Sequence, residues 1–259
     1  MFHEVNEKTQ MLKFLGRGGA FNVKEGNTAA YLKKGDTLLL IDCGETTFGD
    51  MMRINLLHDV LDAHVLITHV HGDHIGSLST FIYYCFYVRG FKPVVYYNDE
   101  DHRKDISMLL KLMGCDESFY KLQTMDDQGE CASKVSLRKI FPYHHIESIK
   151  VSHYPNMNSY AFRFCCMEGY QDVFYSGDIN DIKIIEKYVL EFRCHQAYID
   201  TTLLDYEGNV HLSLRELDEL FPQERRKSVW CMHVNLDECI EQARALGFNV
   251  VEVEKEVFR

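Results

Sequence analysis

Short apolar runs alternate with amphipathic stretches along the chain. Residues 11–15 read as a strand, followed by a glycine-rich turn at residues 16–19. Residues 29–32 and 38–41 read as paired strands joined by the turn Lys33-Lys34-Gly35-Asp36, and Asp42-Cys43-Gly44 ends the second of them. Helical spacing over residues 49–63 feeds a short buried strand, Val65-Leu66-Ile67. After a turn marked by Gly72 and Gly76, residues 78–88 predict a helix with apolar positions at 78, 81, 82, 85 and 86. Strands are then predicted at 94–97, 160–165, 173–176, 197–200 and 229–232, and helices at 181–192, 213–220 and 236–246. Asn235 with Glu238 predicts an N-cap and capping box for the last helix, and Gly247 its C-cap. Two strand-rich halves, each followed by helices, imply a mixed α/β layer protein with two packed sheets and helices outside.

Composition narrows this picture. A chain of 259 residues can form one α/β domain or two small ones; it contains no Pro/Gly/Ser-rich linker, repeat or low-complexity run, so one domain over 1–259 is expected. With 46% hydrophobic residues the chain can bury a sizeable core. No apolar run approaches the ~20 residues needed to span a bilayer, and the polar opening MFHEVNEKTQ does not read as a signal peptide. Nine scattered cysteines without a CxxC pair read as reduced thiols in a cytoplasmic protein. The formal charge of −11 repels polyanions and argues against a long nucleic-acid substrate, though not against a small phosphodiester.

The chemistry concentrates at THVHGDHIGSL, residues 68–78, where His69, His71, Asp73 and His74 fall within six positions after an apolar strand. Alternate side chains of an extended segment point the same way, so His69 and His71 can face one ion. The following turn swings Asp73 and His74 toward a second. Imidazole with a single carboxylate suits zinc, and manganese or iron if more oxygen joins. The GRGGAF stretch is not GxGxxG and no helix pattern follows it, so a tight turn near the site's mouth is expected there rather than a phosphate loop.

HxHxDH after a strand is the signature of the metallo-β-lactamase superfamily, which this chain resembles along most of its length. Phe14–Asn22 (FLGRGGAFN), Asn27–Leu32 (NTAAYL) and Leu38–Thr47 (LLLIDCGETT) bring it closest to the branch holding ribonuclease Z and the anti-Pycsar cyclic-nucleotide phosphodiesterases. The resemblance implies a four-layer αβ/βα sandwich with metals at the sheet edges. It also implies later ligands: His153 ahead of a strand, Asp178 in VFYSGDI as a bridging carboxylate, and His233 after VWCM. The implied assignment is His69, His71 and His153 on one ion, Asp73, His74 and His233 on the other, and Asp178 between them. Two ions ~3.5–4 Å apart would hold a bridging hydroxide and clamp a phosphate oxygen. His211, matching the histidine of ribonuclease Z at the start of a late helix, would protonate the leaving oxygen. Asp200, standing where that family has Glu, would hold His211. Asp73, His211 and Asp200 are thus the expected catalytic set. Asp42 carries no metal duty and would brace the ligand loop by hydrogen bonds. His144 and His145 are rivals for the His153 role but lack the strand that should follow.

Two departures bear on substrate. The long Gly/Pro-rich arm of ribonuclease Z is missing, and its DCGEGT piece reads DCGETT. The expected function is therefore a dinuclear-metal phosphodiesterase acting on cyclic nucleotides or similar small phosphodiesters. The alternatives are a ribonuclease Z-like RNA endonuclease and a non-catalytic metal-binding protein of the same fold. The 78–88 helix, apolar nearly all round, is expected at a homodimer interface, as in related enzymes. Tyr154 and Phe21 are candidates to stack on a base.

Overall fold

The computed structural model describes residues 10–125, 143–166, 172–192 and 194–254. They form two six-stranded sheets built on one plan. In the first, β1 (Lys13–Gly16), β2 (Ala29–Lys34) and β3 (Thr37–Ile41) run antiparallel. β4 (Asp62–Leu66), β5 (Val94–Tyr97) and β6 (Lys121–Thr124) then continue parallel to β3. The second sheet repeats this with antiparallel β7 (Tyr143–Val151), β8 (Ser159–Cys166) and β9 (Val173–Tyr175). Parallel to β9 follow β10 (Gln196–Asp200), β11 (Val229–Met232) and β12 (Asn249–Val250).

Three apolar clusters stack through the molecule. One lies between the first sheet and its helices α1 (Thr47–Arg53), α3 (Leu78–Tyr83) and α4 (Glu100–Leu112). Another lies between the second sheet and α5 (Ile182–Ile185), α6 (Leu214–Leu220) and α7 (Asp237–Ala245). The third joins the two sheets, with Phe14, Leu39 and Ile41 facing Phe162, Tyr175, Tyr198 and Trp230. β3 shows why its sequence is a continuous apolar run: Leu38 and Leu40 enter the outer cluster, Leu39 and Ile41 the inner one. A strand covered on both faces has no polar side to display. The layers are thus helix, sheet, sheet, helix, the expected αβ/βα sandwich.

The predicted strands in both sheets form within a few residues of their expected ends, but several local readings need correction. The helix expected over 49–63 ends at Arg53; Asn55 turns left-handed (φ 56°), and Asp62 already belongs to β4. Leu56, Leu57 and Val60 mimic helical spacing because they reach the core from successive turns. The helix over 78–88 is α-helical only to Tyr83 and widens into a π-turn over Tyr84–Val88; the one after Asp181 does the same over Glu186–Glu191. The capping box at Asn235 and Glu238 does not form: Leu236 is the N-cap, and Asn235 Oδ1 instead accepts from the Leu203 N–H. A capping box does form at α6, between Ser213 and Glu216. Gly247 ends α7 as expected, at φ 93°. α4 lies outside the predicted helices although Ile106 and Leu110 stand at helical spacing on its buried face; β6, β7 and β12 lie outside the predicted strands.

Candidate metal centre

Most of the expected site residues stand at or just beyond strand ends, on one edge of the sandwich. β4 runs into Thr68 and the short helix α2 (Gly72–Ile75), which together carry His69, His71, Asp73 and His74. β9 delivers Asp178 through Gly177, β10 ends at Asp200, and β11 is followed by His233; His153 precedes β8. The chain turns sharply at three of these ends, with positive φ at Asp42 (64°), Gly177 (58°) and His233 (56°). Left-handed backbone is costly for non-glycine residues and persists where surrounding contacts impose it, commonly at functional sites.

Among the described residues three donor groups form, all sharing Asp178; one of them joins Asp200 and His211 to Asp178 and His233. His69, His71, His153 and Asp178 place ligand atoms within 4.8 Å of one another, as do Asp73, His74, Asp178 and His233. These are the two sets that the resemblance implies, with Asp178 common to both. Asp178 reaches His74 Nε2 at 3.2 Å and His233 Nε2 at 3.5 Å with its two oxygens, and lies 3.7 to 3.8 Å from His153 and His69.

The protons on these rings follow from their outer partners. His153 Nδ1 donates to the Val210 carbonyl at 2.9 Å, so its Nε2 points inward as a bare lone pair. His74 Nδ1 donates to Asp42 at 2.8 Å, which turns its Nε2 inward toward Asp178 and Asp73. His69 Nδ1 meets the Thr68 hydroxyl at 3.0 Å. Inward, His71 Nδ1 lies 3.0 Å from His69 Nε2 and 3.3 Å from His153 Nε2, and it can give a proton to only one of them. Lone pairs and carboxylate oxygens converging at such distances in a buried site require positive charge between them. Divalent cations meet that requirement, and the nitrogen-rich donor set fits them.

The electrostatics say the same. Burial would raise the Asp178 pKa, yet His233, His74 and His69 hold it well below the usual carboxylate range. Asp73, also opposed by burial, is lowered by hydrogen bonds from His233 and His74. His74 is driven well above its ordinary value, against burial, by Asp178 and Asp42, and His233 to about 10, chiefly by Asp178 and Asp200. His69, walled in on every side, is pushed down by burial. Protons thus stand in where cations would bind, and metal binding would displace them.

Asp42 takes the bracing role expected of it. Its carboxylate accepts from the Thr68 N–H and hydroxyl, each at 2.8 Å, as well as from His74. Gly44 allows the β3 turn to press onto the ligand loop, since a Cβ there would lie 1.8 Å from the Asp73 carbonyl oxygen. Gly19 performs a similar service for the glycine-rich loop: a Cβ would stand 3.2 Å from the His233 ring. That loop is a tight turn beside the site.

His211 lies against the centre, its ring stacked on His233 with centroids 5.1 Å apart and its Nδ1 2.7 Å from Asp200. Against burial, Asp200 raises the His211 pKa. The other Asp200 oxygen lies 3.3 Å from His233 Nδ1, so one carboxylate serves both rings. A cavity of about 430 Å³ opens beside His211, lined by Asp205, Tyr206, Asn209 and Arg215 among others. Tyr154, half exposed, sets its ring edge to His71 at 5.8 Å, and Phe21 projects fully into solvent from the glycine-rich loop. The side chains of His144 and His145 lie outside the described residues. Sequence reasoning missed Thr68, Asn180 and the Val210 carbonyl, all of which hold ligands from behind; a backbone carbonyl leaves no mark in a sequence.

Comparisons with known proteins bear on the family and the fold. The profile of the family described as Anti-Pycsar protein Apyc1 matches residues 10–256. A protein of that name from Paenibacillus sp. (strain J14) is 30% identical over 228 residues, covering 87% of this chain and 89% of its own. Among solved structures, the metallo-β-lactamase fold protein YhfI from Bacillus subtilis superposes with a TM-score of 0.67 at 18% identity, covering 95% of this chain and 96% of that one. The short form of human tRNase Z superposes with a TM-score of 0.63 at 19% identity, covering 93% and 96%. The two structures establish the metallo-β-lactamase fold, and the profile match establishes that the chain belongs to the family of the anti-Pycsar protein Apyc1.

Proposed function

We propose that this protein is a dinuclear-metal phosphodiesterase that hydrolyses cyclic nucleotides or comparable small phosphodiesters. The observation that carries the reading is the convergence of two donor sets on Asp178 with a carboxylate-held histidine, His211, alongside. His69, His71 and His153 would hold one ion, Asp73, His74 and His233 the other, and Asp178 would bridge. Zinc suits this set best; manganese and iron are the other candidates. Two such ions supply a nucleophilic water at neutral pH and draw charge from a phosphate oxygen.

The chain's own groups do the rest. Asp200 fixes the His211 tautomer, so that Nε2 is the nitrogen free to carry a proton to the departing oxygen. Asp42 and Thr68 hold the ligand loop while charge shifts in the site. Tyr154, on the open side of His71, offers an aromatic face for a base. The net charge of −11 and the lack of an RNA-gripping arm support a small ligand over a polyanion.

The same reading takes residues 1–259 as one domain, active as a homodimer in the cytoplasm. Reduced thiols support the compartment, since the cysteines whose side chains are described, Cys43, Cys85, Cys115, Cys165, Cys194, Cys231 and Cys239, are free. Among those residues, no helix is long and apolar enough to cross a membrane.

The test compares kcat/KM for cyclic AMP, GMP, CMP and UMP with that for precursor tRNA, at about 0.15 M salt where charge repulsion is partly screened. Cyclic nucleotides should be turned over far faster. Efficient tRNA trimming with no cyclic-nucleotide hydrolysis would replace this reading with that of a ribonuclease.

A further inference from the structure

Asn180 lies two residues beyond Asp178 and belongs to none of the donor sets, yet it joins three segments of the site. Its backbone N–H donates to the Ser152 carbonyl at 2.9 Å. Its side-chain amide donates to the Asn209 carbonyl at 3.2 Å and lies 3.5 Å from the His153 carbonyl. Both neighbours of that nitrogen are acceptors only, which settles the orientation of the amide.

What the amide holds is the loop between β10 and α6. Asn209 is followed by Val210, whose carbonyl braces His153, and then by His211. Asn209 Oδ1 also accepts from the His211 N–H at 3.3 Å, and its Nδ2 donates to the Leu204 carbonyl at 2.8 Å. The His211 and His153 rings stand 5.1 Å apart. The grip of Asn180 on one carbonyl therefore fixes the backbone from which His211 projects, relative to the turn that carries Asp178.

We propose that Asn180 is a positioning residue: by binding the Asn209 carbonyl it sets where His211 stands relative to the scissile phosphodiester. This rests on the reading of His211 as proton donor. A misplacement of ~1 Å can cost about 10²-fold in rate, so one hydrogen bond at the root of a catalytic loop can matter more than its own strength.

Asn180→Asp is the sharpest probe. It keeps the shape but replaces the donor with oxygen, which the Asn209 and His153 carbonyls repel. Asn180→Ala removes the donor without adding charge and serves if the first variant folds poorly. Either should lower kcat on cyclic nucleotides by roughly 10- to 10²-fold with KM within about 3-fold. With bis-p-nitrophenyl phosphate, whose leaving group needs no proton, the loss should shrink to under about 3-fold. Metal content should match wild type, because all seven candidate ligands are retained. Independently of turnover, hydrogen–deuterium exchange over residues 203–212 should quicken by at least ~10-fold while the sheets stay unchanged.

Unchanged exchange, equal losses on both substrates, or a lost metal ion would each overturn the proposal. A wild-type protein that hydrolyses neither phosphodiester overturns the functional reading and the catalytic part of this inference with it. The exchange measurement still decides whether Asn180 holds the loop.

Discussion

The first sheet delivers His69, His71, Asp73 and His74 from one loop after β4, whereas the second contributes His153, Asp178 and His233 from three separate turns. In the first half, adjacent residues do the work and the supports are close by: Asp42 and Gly44, from the neighbouring strand, hold the loop from beneath. In the second half no two candidate ligands are neighbours in sequence, and their relative positions depend on sheet register and on cross-links such as His153 to Val210 and Asp200 to His211. A compact motif can therefore be built almost unaided, while the residue that completes both donor sets, Asp178, comes from the half assembled by tertiary contacts.

If that contrast is right, the largest single effect should come from the second half. Asp178→Ala removes the residue common to both sets, and metal analysis should find at least one ion fewer per chain, with activity essentially abolished. Equal metal content in wild type and variant would take Asp178 out of the site and dissolve the contrast.

Next in size is His211→Ala, which should retain its metals and lose ~10²–10⁴ in kcat on cyclic nucleotides. The loss should shrink on p-nitrophenyl esters. A uniform loss would give His211 a different duty.

The first half should be more forgiving when its support, rather than a ligand, is changed. Asp42→Asn keeps the shape but weakens the bracing of His74 and Thr68. Titration with a competing chelator should show metal affinity down by roughly 10- to 10²-fold, the usual span for groups that orient ligands. An unaltered affinity would mean the loop holds its form without Asp42.

The smallest effect on chemistry concerns the outer face of the first half. Tyr83, Phe86, Tyr87 and Phe119 form an aromatic cluster there, with Tyr87 68% exposed. The expected homodimer uses this face, so Tyr87→Glu should shift a micromolar sample from dimer toward monomer in light scattering, with metal content unchanged. A wild-type monomer at that concentration would remove the dimer from the reading.

How much of this was legible in advance tracks the same division. His69, His71, Asp73 and His74 announce themselves because ligand spacing within one loop is a local property. The strands around them are legible because runs such as Leu38–Ile41 must be apolar to lie between two layers. His153, Asp178, His211 and His233 were found through family resemblance; isolated histidines and a Gly-Asp turn have no distinctive spacing of their own. β7 shows only weak periodicity, whereas α4 does carry a legible signal, Asp99 as N-cap with Ile106 and Leu110 at helical spacing.

The layered fold class, the strand-end placement of chemistry and the first four candidate donors are readable along the chain, since each depends on residues near one another in it. That one Asp200 carboxylate serves both His211 and His233, that the Val210 carbonyl sets the His153 proton, and that Asn180 ties three segments together emerges only once the chain has folded. These are contacts between residues up to 57 positions apart, several made to backbone atoms that every residue type possesses alike. Their geometry exists only after two sheets have packed and brought their edges into register.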